Sequence, residues 1–240
     1  VKNWSFNTFT LLYYNQILGV DALLVSIALA VAIAFDAITD PLVATFSDNT
    51  KSRWGRRHPL MLAASVPLGA ALYAVYVPPG GLSDLGLFAW LLSFTVLTRG
   101  LMTLYFVPWA AIAAELSDDY YERTSVMTYR FAIGWLVGGG VPLYVFSFIM
   151  PGTPEYPVGQ LNPAAYSEMA LVVGCLMTLG ALATTLLTWR EIPYLRQHAK
   201  DAAPFGLKQT ARELSLALQN RQFALIFMIV LIGSAIGGTT

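Results

Sequence analysis

The stretch Phe35 to Pro59, FDAITDPLVATFSDNTKSRWGRRHP, decides the fold of this chain. It begins inside a long apolar run that carries Asp36 and Asp40, and it ends in a short basic connector. A carboxylate deep in a membrane span is costly, and a sequence normally retains it only to face a cavity, a partner or an ion. The spacing of four residues places both carboxylates on one helix face, where they repel each other unless a cation lies between them. The stretch therefore predicts a membrane helix with a cation-binding face.

The composition around this stretch is that of a membrane protein. Hydrophobic residues make up 56% of the 240 residues and charged residues 12%, and the mean hydropathy is +0.59. Soluble domains have about a quarter charged residues. The 14 Lys and Arg residues balance the 14 Asp and Glu residues, which argues against nucleic-acid binding through bulk charge. A single cysteine, Cys175, argues against both an intrachain disulfide and a thiolate metal site.

Seven apolar segments are separated by charged or Pro/Gly-rich connectors. Each is near the length of about 20 residues that a helix needs to cross a bilayer core of about 30 Å. Because the chain opens on Val1 and ends inside an apolar segment, we expect the first and last segments to be incomplete. The segments run approximately over 4–19, 22–47, 60–77, 87–114, 126–150, 167–189 and 223–238.

The connectors alternate in charge. Those at 19–21, 78–85 and 151–166 contain no Lys or Arg, whereas those at 49–59, 117–124 and 190–222 are basic. By the positive-inside rule, the basic connectors and the N-terminus are predicted to be cytoplasmic. Within the last connector, 205–221 fits an amphipathic helix on the membrane interface and a solvated linker helix equally well. Six spans, a long linker and a seventh span match the midpoint of a transporter built from two six-helix halves.

Two arginines accompany the aspartates inside the apolar segments. Counting about 1.5 Å per residue places Asp36, Asp40, Arg99 and Arg130 in one layer, between the bilayer centre and its inner face. Four charges in one layer predict a functional cavity. In the structural alternative, the aspartates pair statically with the arginines and lock the helices together. For Arg99 the functional and structural interpretations stay equally open.

Pro41 gives the carboxylates additional oxygen neighbours. Proline lacks an N–H group, so the Ala37 carbonyl loses its helical partner, and the Thr39 hydroxyl lies nearby in the sequence. Two carboxylates with hydroxyl and carbonyl oxygens suit a hard cation, whereas a proton needs only one carboxyl group. We therefore expect Asp36 and Asp40 to bind Na⁺, with H⁺ as the alternative coupling ion and no other cofactor.

The basic connector and its neighbours match a known signature through Asp36, Asp40, Pro41, Asp48, Thr50, Arg53, Trp54, Gly55, Arg56 and Arg57. Together they resemble the glycoside-pentoside-hexuronide:cation symporters, the melibiose permease-like branch of the major facilitator superfamily. The resemblance continues through Pro108, the acidic loop ELSDDYYERT at 115–124 and Arg130. It implies an N-terminal six-helix bundle at 1–189, a cytoplasmic linker at 190–222 and the start of helix seven at 223–240.

The resemblance also implies roles for charged residues. Asp36, Asp40 and Thr103 correspond to the cation-site residues on helices two and four. The basic connector after helix two is predicted to face the acidic loop after helix four, and ion pairs between them would favour an outward-open state. The predicted cytoplasmic gate consists of Asp48, Arg53, Arg56, Arg57, Glu115 and Arg123.

The predicted solute site combines one cation with aromatic side chains. Arg130 corresponds to the family's helix-five arginine close to the sugar. Asn7, Phe106 and Trp109 are the other predicted solute contacts. The family's helix-four carboxylate falls at Phe106 here, and its sugar-stacking aromatic falls at Ala110, one position beyond Trp109. This departure favours a less polar solute.

These features predict a secondary symporter, in which Na⁺ or H⁺ stabilises the state that binds a sugar- or glycoside-type solute. A sodium-dependent lysophospholipid symporter of the same superfamily branch is the alternative. An intramembrane prenyltransferase, with Asp118, Asp119 and Glu122 as a second Mg²⁺ cluster, is a distant alternative, and a receptor or scaffold is a third class. We expect a monomer in the bacterial inner membrane whose partners are the solute, the coupling cation and the lipid bilayer.

Overall fold

The computed structural model describes residues 9–50, 52–116, 119–193, 195, 219–220, 222, 225 and 228. The chain divides into two compact units, Val1–Ala199 and Lys200–Thr240, and the helices discussed below lie in the first unit. The described residues form helices and loops without a β-strand, which confirms the predicted all-α class. Asn7, Asp118 and most of the stretch at 205–221 lie outside the described residues.

The helices follow the first six apolar segments of the sequence. The first, α1, is described as a π-helical turn at Tyr13–Ile17. Five longer helices are apolar enough to cross a membrane, so the chain is an integral membrane protein. These helices are α2 (Ala22–Asn49), α3 (His58–Val75), α4 (Asp84–Glu115), α5 (Tyr120–Tyr144) and α6 (Pro163–Leu187).

Capping residues, rather than the onset of apolar sequence, set where α5 and α6 begin. The Asp119 carboxylate accepts hydrogen bonds from the N–H groups of Tyr121 and Glu122 at 2.8 and 2.9 Å, so α5 begins well before residue 126. The Asn162 side chain accepts from the N–H of Ala164 at 3.1 Å, so α6 begins before residue 167. Such side chains satisfy N–H groups that the first helical turn leaves free. The predicted starts of these two helices were therefore too late.

The two ends of the bundle differ in chemistry. α3 packs against both α4 and α6, and α2 packs against α4. Near the end of α3, a core of buried aromatic side chains includes Tyr14, Tyr76 and Tyr166, and the Tyr14 hydroxyl donates to the Val75 carbonyl at 2.6 Å. A second apolar core surrounds Met61 at the start of α3. The described residues of the basic connector at 49–59 lie at that second end, directly before α3.

Candidate cation and solute site

Two side-chain contacts connect α2 and α4 at the level of the intramembrane aspartates. Nη1 of Arg99 lies 2.5 Å from Oδ2 of Asp36. One helical turn further along, the Thr103 hydroxyl donates to Oδ1 of Asp40 at 2.7 Å. The two aspartates are four residues apart and so are their partners, so the contacts form a two-rung ladder between the helices. The structure thus brings all three predicted cation-site residues together and adds Arg99.

The two rungs differ in burial and charge. At the first rung, the side chains of Arg99 and Asp36 are 12% and 21% exposed. Oδ1 of Asp36 is buried and has no hydrogen-bond partner among the described residues. At the second rung, Thr103 is buried and Asp40 is exposed. Thr103 is neutral, so the Asp40 carboxylate is the one that remains open to a mobile cation.

A glycine allows α4 to approach α2 at this level. A Cβ atom at Gly100 would lie 3.3 Å from Cε1 of Phe35, which is tighter than an ordinary van der Waals contact. α2 remains helical through Pro41. The Thr39 hydroxyl donates to the Phe35 carbonyl of its own helix at 3.0 Å, and its lone pairs can still accept a cation. The short contacts of the ladder therefore rest on a close approach of the two helices.

Arg130 lies over aromatic side chains of α4. Its guanidinium carbon is 4.1 Å from the centre of the Trp109 ring and 5.9 Å from that of Phe106. The two ring centres are 5.5 Å apart, and we call this pair the aromatic shelf. Nη1 of Arg130 also lies 3.9 Å from the Met127 sulfur. A cation over an aromatic face is attracted by the ring quadrupole. Three of the four predicted solute residues are thus brought together, and Asn7 lies outside the described residues.

The aspartates and arginines do not all pair with one another. Arg99 pairs with Asp36, whereas the described residues show no ion pair between Arg130 and either aspartate. Static pairing of the aspartates with the arginines, the structural alternative, is therefore found among the described residues at Asp36 only. The pairing at Arg99 leaves the guanidinium of Arg130 for other contacts.

A second group of charges closes one end of the bundle. Arg56 and Arg57 precede α3, Asp48 lies near the end of α2, and Glu115 ends α4. Arg56 lies 2.5 Å from Glu115 and 3.7 Å from Asp48. Arg57 lies 2.8 Å from Glu115 and 3.1 Å from Asp48. Each arginine contacts both carboxylates, and we call these residues the four-residue ion network.

The remaining predicted gate residues are Arg53 and Arg123. The guanidinium carbon of Arg53 lies 5.3 Å from the centre of the Trp54 ring. Arg123 is exposed in the first turn of α5, and Asp119 caps that helix. Glu115 thus supplies the acidic-loop contacts to Arg56 and Arg57 that are found among the described residues.

Two further features at the site were not assigned from the sequence. The structural alternative offered the aspartates as partners of Arg99 but did not say which of the two it would contact. Nε2 of His58 lies 3.1 Å from the Thr188 hydroxyl oxygen, which connects the start of α3 to the end of α6. No sequence signal connected these two residues, which are far apart along the chain.

A family model described as MFS/sugar transport protein matches residues 1–240. The chain belongs to this family of the major facilitator superfamily. The family match and the related symporters confirm the predicted membership in the glycoside-pentoside-hexuronide:cation symporter group. The predicted major facilitator fold is supported as well, since the five apolar helices occupy the matched residues.

Named relatives include symporters with different solutes. An uncharacterized symporter from Synechocystis sp. is 28% identical over 92% of this chain and 39% of its own. The lactose permease of Leuconostoc lactis is 29% identical over 77% of this chain and 29% of its own. The sodium-dependent lysophosphatidylcholine symporter 1 of Mus musculus is 33% identical over 55% of this chain and 26% of its own. This member of the family therefore spans well under half the length of these relatives.

Proposed function

We propose that this chain forms the N-terminal six-helix part of a secondary active transporter. The transporter couples the movement of Na⁺ or H⁺ to uptake of a sugar- or glycoside-type solute by alternating access. The two-rung ladder carries this proposal. It contains two carboxylates inside membrane helices, and the one at Asp40 has the Thr103 hydroxyl beside it. The names of its relatives, which include a lactose permease, support the solute class.

The ladder provides the ligand chemistry for the coupling cation. Carboxylate and hydroxyl oxygens are the ligands that hard cations prefer. Asp40 and Thr103 supply them from two helices that pack closely at Gly100, and Asp36 adds its negative charge from one turn away on α2. Cation binding neutralises charge inside the bundle and thereby lowers the cost of the conformation that holds the solute.

Arg130 and the aromatic shelf form the proposed solute site. A guanidinium presents a rigid fork of donors that can bind adjacent hydroxyl groups or an anionic group in bidentate fashion. The faces of Phe106 and Trp109 offer an apolar surface for a sugar ring or an acyl chain. A solute seated here would exchange the contact between Arg130 and the rings for contacts with its own polar groups.

The four-residue ion network is the proposed cytoplasmic gate. It joins the connector between α2 and α3 to the end of α4, which holds that end of the bundle closed. The network lies at the end with basic connectors, which by the positive-inside rule faces the cytoplasm. We therefore propose that the N-terminus lies in the cytoplasm, and a monomer in the bacterial inner membrane stays a prediction from the sequence.

A lysophospholipid-type amphiphile is the second candidate solute. Phe106 is 43% exposed beside Arg130, so an apolar surface adjoins the cation that would bind a phosphate. The relative from Mus musculus is named as a lysophosphatidylcholine symporter. An enzyme that uses acidic Mg²⁺ clusters has less support, because Asp119 caps α5.

Solute-induced stabilisation of the purified full-length protein tests the proposal. Sugars, uronides and lysolipids are compared with Na⁺ present and with choline replacing it. We expect one class to raise the melting temperature, more strongly in Na⁺ or at acidic pH, and to drive counterflow in proteoliposomes. Stabilisation by lysolipids alone would establish the second candidate. Solute binding that is indifferent to both Na⁺ and pH would contradict coupled symport.

A further inference from the structure

The Arg99–Asp36 contact has the position and charge to control the cation site. With both aspartates ionised, the ladder carries two negative charges, the positive charge of Arg99 and the neutral hydroxyl of Thr103. Its net charge is therefore −1. The same ladder without Arg99 would have a net charge of −2.

We propose that Arg99 is a tethered counter-ion that sets the valence and affinity of the cation site. It occupies Asp36, so that one monovalent cation at Asp40 and Thr103 completes the neutralisation and a divalent cation is excluded. This inference rests on the proposed coupling-cation site. It makes Arg99 a positioning residue that determines selectivity without being a ligand.

The geometry keeps Arg99 in place. The contact to Asp36 is 2.5 Å long and joins side chains that are mostly shielded from water. A guanidinium does not lose its proton in proteins, so this positive charge is permanent. Oδ1 of Asp36 is buried without a hydrogen-bond partner among the described residues, so Asp36 depends on Arg99 for compensation of its charge.

The position of Arg99 relative to Asp40 produces the selectivity. Residues four apart on facing helices lie about 6 Å apart along the ladder, a distance at which charges interact strongly in a partly dry site. A cation at Asp40 is therefore attracted by Asp40 and repelled by the guanidinium. A monovalent cation leaves the ladder neutral, whereas a divalent cation would double both interactions and leave the ladder with an uncompensated charge of +1 in a partly dry site.

A helix lock is the competing explanation of the same contact. A lock and a counter-ion both predict lower stability when Arg99 is removed, since each leaves Asp36 uncompensated. Only the counter-ion predicts that the affinity for cations follows the net charge of the ladder. The two explanations therefore differ in Na⁺ affinity rather than in stability.

Four variants of the full-length protein separate these explanations. Thermal unfolding is followed in increasing NaCl, with choline chloride as the matched salt and CaCl₂ as the divalent probe. Arg99→Gln makes the ladder −2, so we expect Na⁺ to bind at least tenfold more tightly and Ca²⁺ to stabilise the protein. Asp36→Asn makes the ladder neutral, so Na⁺ affinity should fall at least tenfold. Arg99→Lys and the double variant Asp36→Asn with Arg99→Gln both retain −1, so their Na⁺ affinities should lie above that of Asp36→Asn and below that of Arg99→Gln.

The order of Na⁺ affinities decides the result. Arg99→Gln with reduced stability but unchanged Na⁺ and Ca²⁺ responses would overturn the proposal and leave Arg99 as a lock. If Arg99→Gln does not fold, Asp36→Asn and the double variant decide, because equal Na⁺ affinities in these two would also overturn it. Solute uptake indifferent to Na⁺ and to a pH gradient would instead contradict the proposed symport, whatever the variants show.

Discussion

Gly69 on α3 and Gly174 on α6 bring the backbones of their helices into direct contact. A Cβ atom at Gly69 would collide with the carbonyl oxygen of Gly174, and one at Gly174 would lie 2.9 Å from the carbonyl oxygen of Gly69. Small residues permit such approaches between membrane helices and allow them to pack tightly. Helix α3 is thus fixed to α6 on one side while it contacts α4 on the other.

Gly69→Ala should destabilise the protein by about 2 kcal/mol, because the added methyl group forces α3 and α6 apart. Gly139→Ala on α5 is the matched control, since a Cβ atom there meets no heavy atom within 4 Å. The control should be neutral or slightly stabilising, as alanine favours helix over glycine. Thermal unfolding in detergent measures both. Equal melting temperatures for the two variants would contradict the close contact.

Arg56→Glu should open the end of the bundle that we propose faces the cytoplasm. The substitution places a negative charge beside Glu115, from which Arg56 now lies 2.5 Å. The Arg56 and Glu115 side chains are only 18% and 14% exposed, so an unpaired or like charge there is costly, and losing several contacts together shifts an equilibrium between two states. Labelling of an introduced Ala110→Cys, after Cys175→Ala, should become faster. Arg53→Glu, outside the four-residue ion network, is the control. Equal labelling rates in both variants would mean that the charges of the network set membrane topology and do not hold this end closed.

The variant Arg130→Lys tests whether Arg130 binds the solute or only balances the negative charge of the aspartates. Lysine keeps the positive charge but loses the planar fork and its stacking on Trp109. We expect solute binding to weaken by at least tenfold while Na⁺ binding without solute stays unchanged. Calorimetric titration of each ligand measures the two affinities separately. A similar loss for both ligands would place Arg130 in the cation site instead.

Asp40→Asn should abolish cation-dependent uptake and leave membrane insertion intact. The amide keeps the hydrogen bond with Thr103 but removes the charge that attracts the cation. Asp84→Asn, at the exposed start of α4, is the control and should retain cation-dependent uptake. Uptake in proteoliposomes with imposed Na⁺ or pH gradients measures the effect. Full cation dependence in the Asp40 variant would overturn the assignment of Asp40.

The sequence predicted the helices, whereas it did not predict which intramembrane side chains would pair. Apolar length and the cost of buried charge were enough to predict the spans and to single out Asp36 and Asp40. They could not predict that Asp36 contacts Arg99 rather than Arg130, because pairing depends on the rotation of each helix about its axis. That rotation follows from packing, as the contact between Gly100 and Phe35 shows.

The sequence pattern also did not predict where some helices begin or which side chains contact the aromatic residues. Hydropathy did not reveal that Asp119 caps α5, so that the helix begins before the apolar segment. A cap depends on local hydrogen bonds and not on hydropathy. Trp109 was predicted as a solute residue, but its position under Arg130 depends on how α4 and α5 face each other.

The two-rung ladder also fixes the register of α2 relative to α4. Each rung joins residues 63 positions apart, so only one alignment of the helices satisfies both contacts. Sliding α4 by one turn, about 5.4 Å, would leave one aspartate and one partner unmatched. In the proposed transport cycle, the two helices are therefore expected to move together as one rigid unit.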